Sequence, residues 1–210
     1  MAKIITTPNP ILREVSKPIR KLDKKTLKII RDVQETLTGG ENPKGVGLSA
    51  VQIGKPIRAF ATYLPPSGNP DDEKQKPILK TFINPEIIET SKEKTLGEII
   101  TRKKLSDGKP YPKIENENAK PVLEGCLSIP GIWGPVHRHT WIKLKYFTLD
   151  AKRLTLTERN ERYTDFPARV IQHELDHLNG ILFTDHSLSD HLPLYESRNE
   201  ELVKIDLSLI

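Results

Sequence analysis

Residues 165–178 read DFPARVIQHELDHL. Phe166, Val170, Ile171, Leu175 and Leu178 recur at helical spacing, and Gly180 follows where a helix stops in the left-handed conformation. The spacing predicts a helix with an apolar face for a core and a polar face carrying Gln172-His173-Glu174-Leu175-Asp176-His177. That run contains the HExxH pattern. His173 and His177, four residues apart on one helical face, can both address one metal ion, and Glu174 is placed to reach a water there as general base. Chance produces the pattern in under about 1% of chains of this length. The plain alternative is a pair of surface histidines on an ordinary amphipathic helix. Against it stand the strength of the helical pattern, Asp176 as a support for a ligand or a helix contact, and a suitable third ligand elsewhere in the chain.

That third ligand is Cys126, in Glu124-Gly125-Cys126-Leu127-Ser128-Ile129-Pro130. A lone cysteine is ordinarily a buried apolar filler. The neighbouring Gly125, which permits close backbone approach to a metal, and the later HExxH turn the reading toward a ligand. Two imidazoles and one thiolate leave a fourth tetrahedral position for water, the form of a catalytic site rather than a structural one.

Outward from these segments, residues 23–38 read as a helix, with Asp23 as N-cap, Leu27, Ile30, Val33 and Leu37 along one face, and Gly39-Gly40 as its stop. Residues 45–54, GVGLSAVQIG, read as a shaped loop, followed by a strand over 57–63. A strand over 82–90 is interrupted by Pro85, which calls for an edge position or a bulge. Alternation over 140–149 puts Ile142, Leu144 and Tyr146 on one face and Lys143 and Lys145 on the other, and Asp150-Ala151-Lys152 turns this strand toward Leu154 and Leu156. Strands with segregated helices, and no regular strand–helix alternation, indicate an α+β fold: irregular antiparallel sheets packed around a central helix carrying HExxH, with an N-terminal helix. The domain expected is residues 1–186, with polar insertions near 64–80 and 91–121. Residues 187–210 are a C-terminal extension, amphipathic or partly loose.

The chain has 210 residues, 36% apolar and 29% charged, which suits one soluble domain, and no apolar run is long enough to span a membrane. One cysteine excludes an intrachain disulfide, and the N-terminal residues lack the features of a secretory signal, so the cytoplasm is the expected location, with an organelle as the alternative. A net charge of +5 is modest, and no aromatic-plus-basic constellation argues for a direct nucleic-acid ligand, although a mild positive field suits work near ribosomes.

Taken in order, GVGLSAVQ, EGCLS and QHELDH resemble the three signature motifs of the peptide deformylases, and LNGILF and SIPG match the same family's habit. The resemblance runs from about Pro8 to Asp185, apart from the two polar insertions. It implies a hydrolase that removes the formyl group from the N-terminal methionine of nascent polypeptides and releases formate. It further implies that Cys126, His173 and His177 bind one divalent metal ion. Ferrous iron (Fe2+) is then the working ion, and Zn2+, Ni2+ or Co2+ can occupy the site, although the donors alone would suit zinc. Glu174 would take a proton from water and pass it to the departing amine, while the Gln52 amide and the Leu127 backbone N–H would donate to the formyl oxygen.

By position in the motifs, Val46, Phe166 and Val170 would line a pocket for the methionine, with Ile129 and Trp133 at its rim. For each, a simple core role is the competing reading. Gly45 and Gly47 would let the backbone run beside an extended peptide, and Gly125 would allow close approach at the metal loop. Glu124 and Arg138 match an internal ion pair that steadies the metal loop. Ser49 stands where the first motif usually has alanine, and is small enough to fit. His137, His139, His186 and His191 lack a ligand-like arrangement and receive no role. Two rival functions remain at this point. A zinc peptidase would need a third downstream ligand that no pattern places, and a catalytically silent binding module would have little use for Cys126, Glu174 and Gln52 together.

Overall fold

The computed structural model describes residues 1–40, 45–69, 72, 74–97, 121–150, 155–199 and 201–206. In chain order the elements are α1 (Lys24–Gly39), β1 (Gly47–Ser49), β2 (Ala59–Leu64), β3 (Ile78–Thr90), β4 (Lys94–Thr95), β5 (Leu123–Cys126) and β6 (Ile129–Pro135). There follow β7 (Arg138–His139), β8 (Trp141–Asp150), β9 (Thr155–Thr164), α2 (Asp165–Leu178), α3 (Phe183–Ser189), β10 (Tyr195–Arg198) and β11 (Glu201–Lys204). Among the described residues the strands form three antiparallel sheets, ordered β1-β2-β3-β8-β9, β11-β10-β6-β5 and β4-β7. This is the α+β class expected from the sequence. No helix among the described residues is long and apolar enough to cross a membrane.

Both predicted helices form for the reasons their sequences contain. The Asp23 side chain accepts from the Thr26 backbone N–H at 2.8 Å, capping α1, and Ile29, Ile30, Val33 and Leu37 are buried along its face. Helix α2 buries Ala168, Ile171, Leu175 and Leu178 against Phe60 of β2, Phe82 of β3 and Ile142, Leu144 and Tyr146 of β8. Each large apolar side chain buried there contributes about 1.5–3 kcal/mol. The helix ends where Gly180 takes φ 73°, with the Ile181 N–H returning to the Asp176 carbonyl at 2.9 Å. A side chain at Gly180 would overlap the Arg13 backbone, so space as well as torsion requires glycine. Gln172 ties α2 to β7: its side chain accepts from the His139 N–H and donates to the His139 carbonyl, each at 3.0 Å, much as a neighbouring strand would.

Several sequence readings are sharpened. The interruption at Pro85 is a bulge inside a central strand rather than an edge, because β3 lies between β2 and β8 and its register shifts between Ile83 and Glu86. Asn84, at φ 48°, exchanges two 2.8 Å hydrogen bonds between its side-chain amide and the Ile19 backbone, and its own N–H donates to the Arg58 carbonyl at 2.8 Å. The segment 45–54, read as a loop, contains β1, paired with β2 from Gly47↔Thr62 to Ser49↔Phe60, and then a 3-10 turn over Ala50–Ile53. Three residues are too few to show a period, so only pairing reveals the strand. Strand β3 begins at Ile78, inside the polar run 64–80, and of the run 91–121 residues 98–120 lie outside the described residues. Strands β8 and β9 pair as expected, and of the turn expected at Asp150-Ala151-Lys152 residues 151 and 152 lie outside the described residues. Beyond α3, β10 pairs with both β11 and β6, so this part of the tail extends the second sheet.

Candidate metal centre

Helix α2 turns its polar side toward the end of β5, where Cys126 stands. Cys126 Sγ lies 3.1 Å from His177 Nε2, and one donor atom from each of Cys126, His173 and His177 lies within 4.8 Å of the others. Among the described residues this is the one group of three or more His, Cys, Asp and Glu gathered in that way. Tetrahedral coordination at ordinary bond lengths spaces such donors roughly 3.3–3.6 Å apart, so the cluster has the size for one ion. The donor chemistry agrees. Burial alone would push the Cys126 thiol up, but His177 and His173 outweigh it and hold the sulfur well below its ordinary value, as the thiolate that a soft cation takes.

His173 is held by Glu124, whose Oε2 lies 3.0 Å from His173 Nδ1. Burial would raise the Glu124 carboxyl, yet Arg138 and His173 bring it well below the usual range, so it is ionised and the Nδ1 proton points at it. His173 Nε2 is then the nitrogen left for a metal. Glu124 is itself clamped by Arg138, which donates from Nε at 3.0 Å and from NH2 at 2.9 Å, both side chains being 5% exposed. Arg138 continues to Asp176 Oδ2 at 2.5 Å, and the same oxygen meets His186 Nε2 at 2.9 Å. Arg169 joins from α2, donating to Glu124 Oε1 at 2.9 Å and to the Val136 carbonyl at 2.8 Å. The predicted Glu124–Arg138 pair is thus the middle of a buried network. Sequence reasoning missed Arg169 and His186. A charged residue inside the apolar run Ala168-Arg169-Val170-Ile171 was the available signal for the first.

Glu174 is 3% exposed, and burial raises its carboxyl above the ordinary value despite the opposing pull of His173, His177 and a hydrogen bond from Ser49. Gln52 is 1% exposed. Its Oε1 accepts from the Ser49 N–H at 2.8 Å, which turns its amide NH2 to Ser128 Oγ at 3.1 Å and Cys126 Sγ at 3.5 Å. Gln52, Glu174 and the three donors therefore occupy one cluster. Leu127 packs its side chain beside Gly45 and the α1 cluster. Val170 is buried one turn before His173 on α2, and half-buried Val46 accepts from the Tyr63 N–H at 2.9 Å. Phe166 stands two turns before His173, about 10 Å along the helix axis. Ile129 is part of a core cluster with Leu12, Val136 and Phe183. A side chain at Gly125 would meet the Trp133 ring at 2.7 Å, so the close neighbour there is an aromatic face.

Comparison with known families is direct: the model described as polypeptide deformylase matches residues 1–191. The chain belongs to the polypeptide deformylase family. A peptide deformylase of Cytophaga hutchinsonii is 34% identical over 203 residues, covering 97% of this chain and 91% of the relative. One from Bartonella tribocorum is 33% identical over 186 residues, covering 89% and 84%. Among solved structures, the class I type b peptide deformylase of Acinetobacter baumannii with Met-Ala-Ser bound has a TM-score of 0.65 at 27% identity, covering 89% of this chain and 98% of that one. The Thermotoga maritima peptide deformylase has a TM-score of 0.61 at 32% identity, covering 89% and 97%. This chain is therefore a metal-dependent hydrolase that removes the N-formyl group from nascent polypeptides, and its Cys/His/His cluster fits one ion.

Gly47 offers an immediate test of how tightly the deformylase centre is packed. A methyl added there would overlap Glu174 Oε1 and sit 2.9 Å from its Cδ. Gly47→Ala is expected to displace the carboxylate and lower kcat by roughly 10²-fold with metal content unchanged, as read by formate release and metal analysis.

Proposed function

We propose that Cys126, His173 and His177 hold one divalent cation, with Fe2+ as the working ion and Zn2+, Ni2+ or Co2+ as possible occupants. The observation that carries this reading is the convergence of those three donors beside buried Glu174. A cation held there supplies a Lewis acid and acidifies water. Glu174 acts as general base and then general acid, taking a proton and returning it to the departing amine nitrogen. Its burial supports the role, since a raised carboxyl exchanges protons more readily near neutral pH. The Gln52 amide and the Leu127 backbone N–H donate to the formyl oxygen as negative charge develops on it. The Ser49 N–H, by holding Gln52 Oε1, favours this because it leaves the amide NH2 as the end that faces the cluster.

The formylmethionyl chain lies extended along β1, an edge strand, beside Gly47, with Gly125 facing it from β5 and the methionine side chain near Val46, Val170 and Phe166. Main-chain pairing of this kind holds peptides without regard to sequence. Residues 1–186 form the catalytic domain, with insertions near 64–80 and 91–121, and 187–210 form a C-terminal extension, of which β10 and β11 continue the second sheet. A cytoplasmic setting close to the ribosome suits both the substrate and the net charge of +5.

Protein purified without oxygen and assayed directly tests the reading. One divalent ion per chain is expected, with the iron form the most active, and formate release from formyl-Met-Ala without cleavage of unformylated Met-Ala. An iron-loaded preparation that releases no formate overturns the assignment, and a zinc form that outpaces it overturns the choice of metal.

A further inference from the structure

Ser49 does more than fit the place usually held by alanine. The side chain is fully buried, its Oγ lies 2.6 Å from Glu174 Oε2 and 3.0 Å from the Glu174 carbonyl oxygen, and its backbone N–H donates to Gln52 Oε1 at 2.8 Å. A hydroxyl has one proton to give. The shorter contact, to a carboxylate oxygen, is the charge-assisted one and takes it. The other carboxylate oxygen, Oε1, rests against Gly47, where even a methyl would collide. Glu174 is thus gripped at Oε2 by Ser49 and backed at Oε1 by the β1 backbone, with both contacts coming from one three-residue strand.

We infer that Ser49 is a positioning residue for the deformylation reaction: its hydroxyl fixes the carboxylate of Glu174 while its backbone N–H fixes the carboxamide of Gln52. One residue then sets the general base and the oxyanion donor in a common register. An alanine supplies only half of this, since it keeps the N–H and lacks the hydroxyl. The β1–β2 pairing, with Ser49 opposite Phe60, transmits the rigidity of the sheet to both groups. Because the hydrogen bonds of Ser49 Oγ go to Glu174, its effect belongs to the orientation of the base and not to metal affinity.

This inference rests on the assignment of Glu174 as base, and Ser49→Ala and Glu174→Gln made side by side separate the two. Ser49→Ala is expected to lower kcat for formyl-Met-Ala about tenfold, with KM and metal stoichiometry unchanged, because a charge-assisted hydrogen bond that holds a reacting group is lost. A residue that merely filled space would leave kcat within about twofold, since alanine nearly preserves the volume. That result, or a loss seen only in KM or metal content, overturns the inference when Glu174→Gln is inactive. Near-normal activity in Glu174→Gln overturns the base assignment itself, and the Ser49 inference with it.

Discussion

Glu174→Gln is expected to lower kcat by about 10³-fold or more while the protein keeps its fold and its metal. Glutamine matches the shape of the side chain, and its carbonyl oxygen can still accept from Ser49 where Glu174 Oε2 does at 2.6 Å. Its amide can neither take a proton from water nor return one to the amine. The metal ligands are untouched, so metal content per chain should stay at the parent value. Stability should hold or rise. Burial raises the Glu174 carboxyl in the folded state, so at neutral pH ionised Glu174 costs stability that a neutral amide does not. Formate release, metal analysis and a thermal melt together decide the matter. Activity within about tenfold of the parent would remove Glu174 from the role of base.

The second large effect lies behind the metal. Arg138→Leu should destabilise the protein by about 3–5 kcal/mol, because it leaves buried Glu124 and half-buried Asp176 without their shared guanidinium. Arg169 and His173 remain on Glu124, and His186 on Asp176, so the loss falls short of abandoning two naked charges. For a chain of this size the thermal midpoint should fall by roughly 6–20 °C. Metal affinity should weaken by about 10–100-fold as well, since Glu124 orients His173. Arg138→Lys keeps the charge without the planar fork that serves two oxygens of Glu124 and one of Asp176, and should fall between the two. A midpoint within about 2 °C of the parent for Arg138→Leu would show that the network does not carry this load.

The parts of this deformylase legible in sequence are those whose geometry is local. Both long helices are readable because their apolar periods, the Asp23 cap and the stop at Gly180 act within a few residues of the chain. The β8–β9 hairpin is readable because strict alternation on β8 leads directly into its partner. Strand β1 is not, being too short to show a period, and the bulge at Pro85 becomes identifiable only when β2 and β8 are seen on either side of β3. Gly125 can be singled out in sequence, but the Trp133 ring that fills its space belongs to the neighbouring strand β6.

The site divides along the same line. The placing of His173, Glu174 and His177 follows from helical pitch, and motif order ties Cys126 and Gln52 to them as expectations. By itself the sequence determined the α+β class, the two main helices, the family and the set of candidate metal ligands. Tertiary structure alone decided that Ser49 grips Glu174, that Arg169 and His186 extend the Glu124–Arg138 pair, and that β10 and β11 are built into the second sheet. Spacing along a helix sets which side chains share a face, but a hydrogen bond between distant segments depends on strand register and packing, which no single segment encodes.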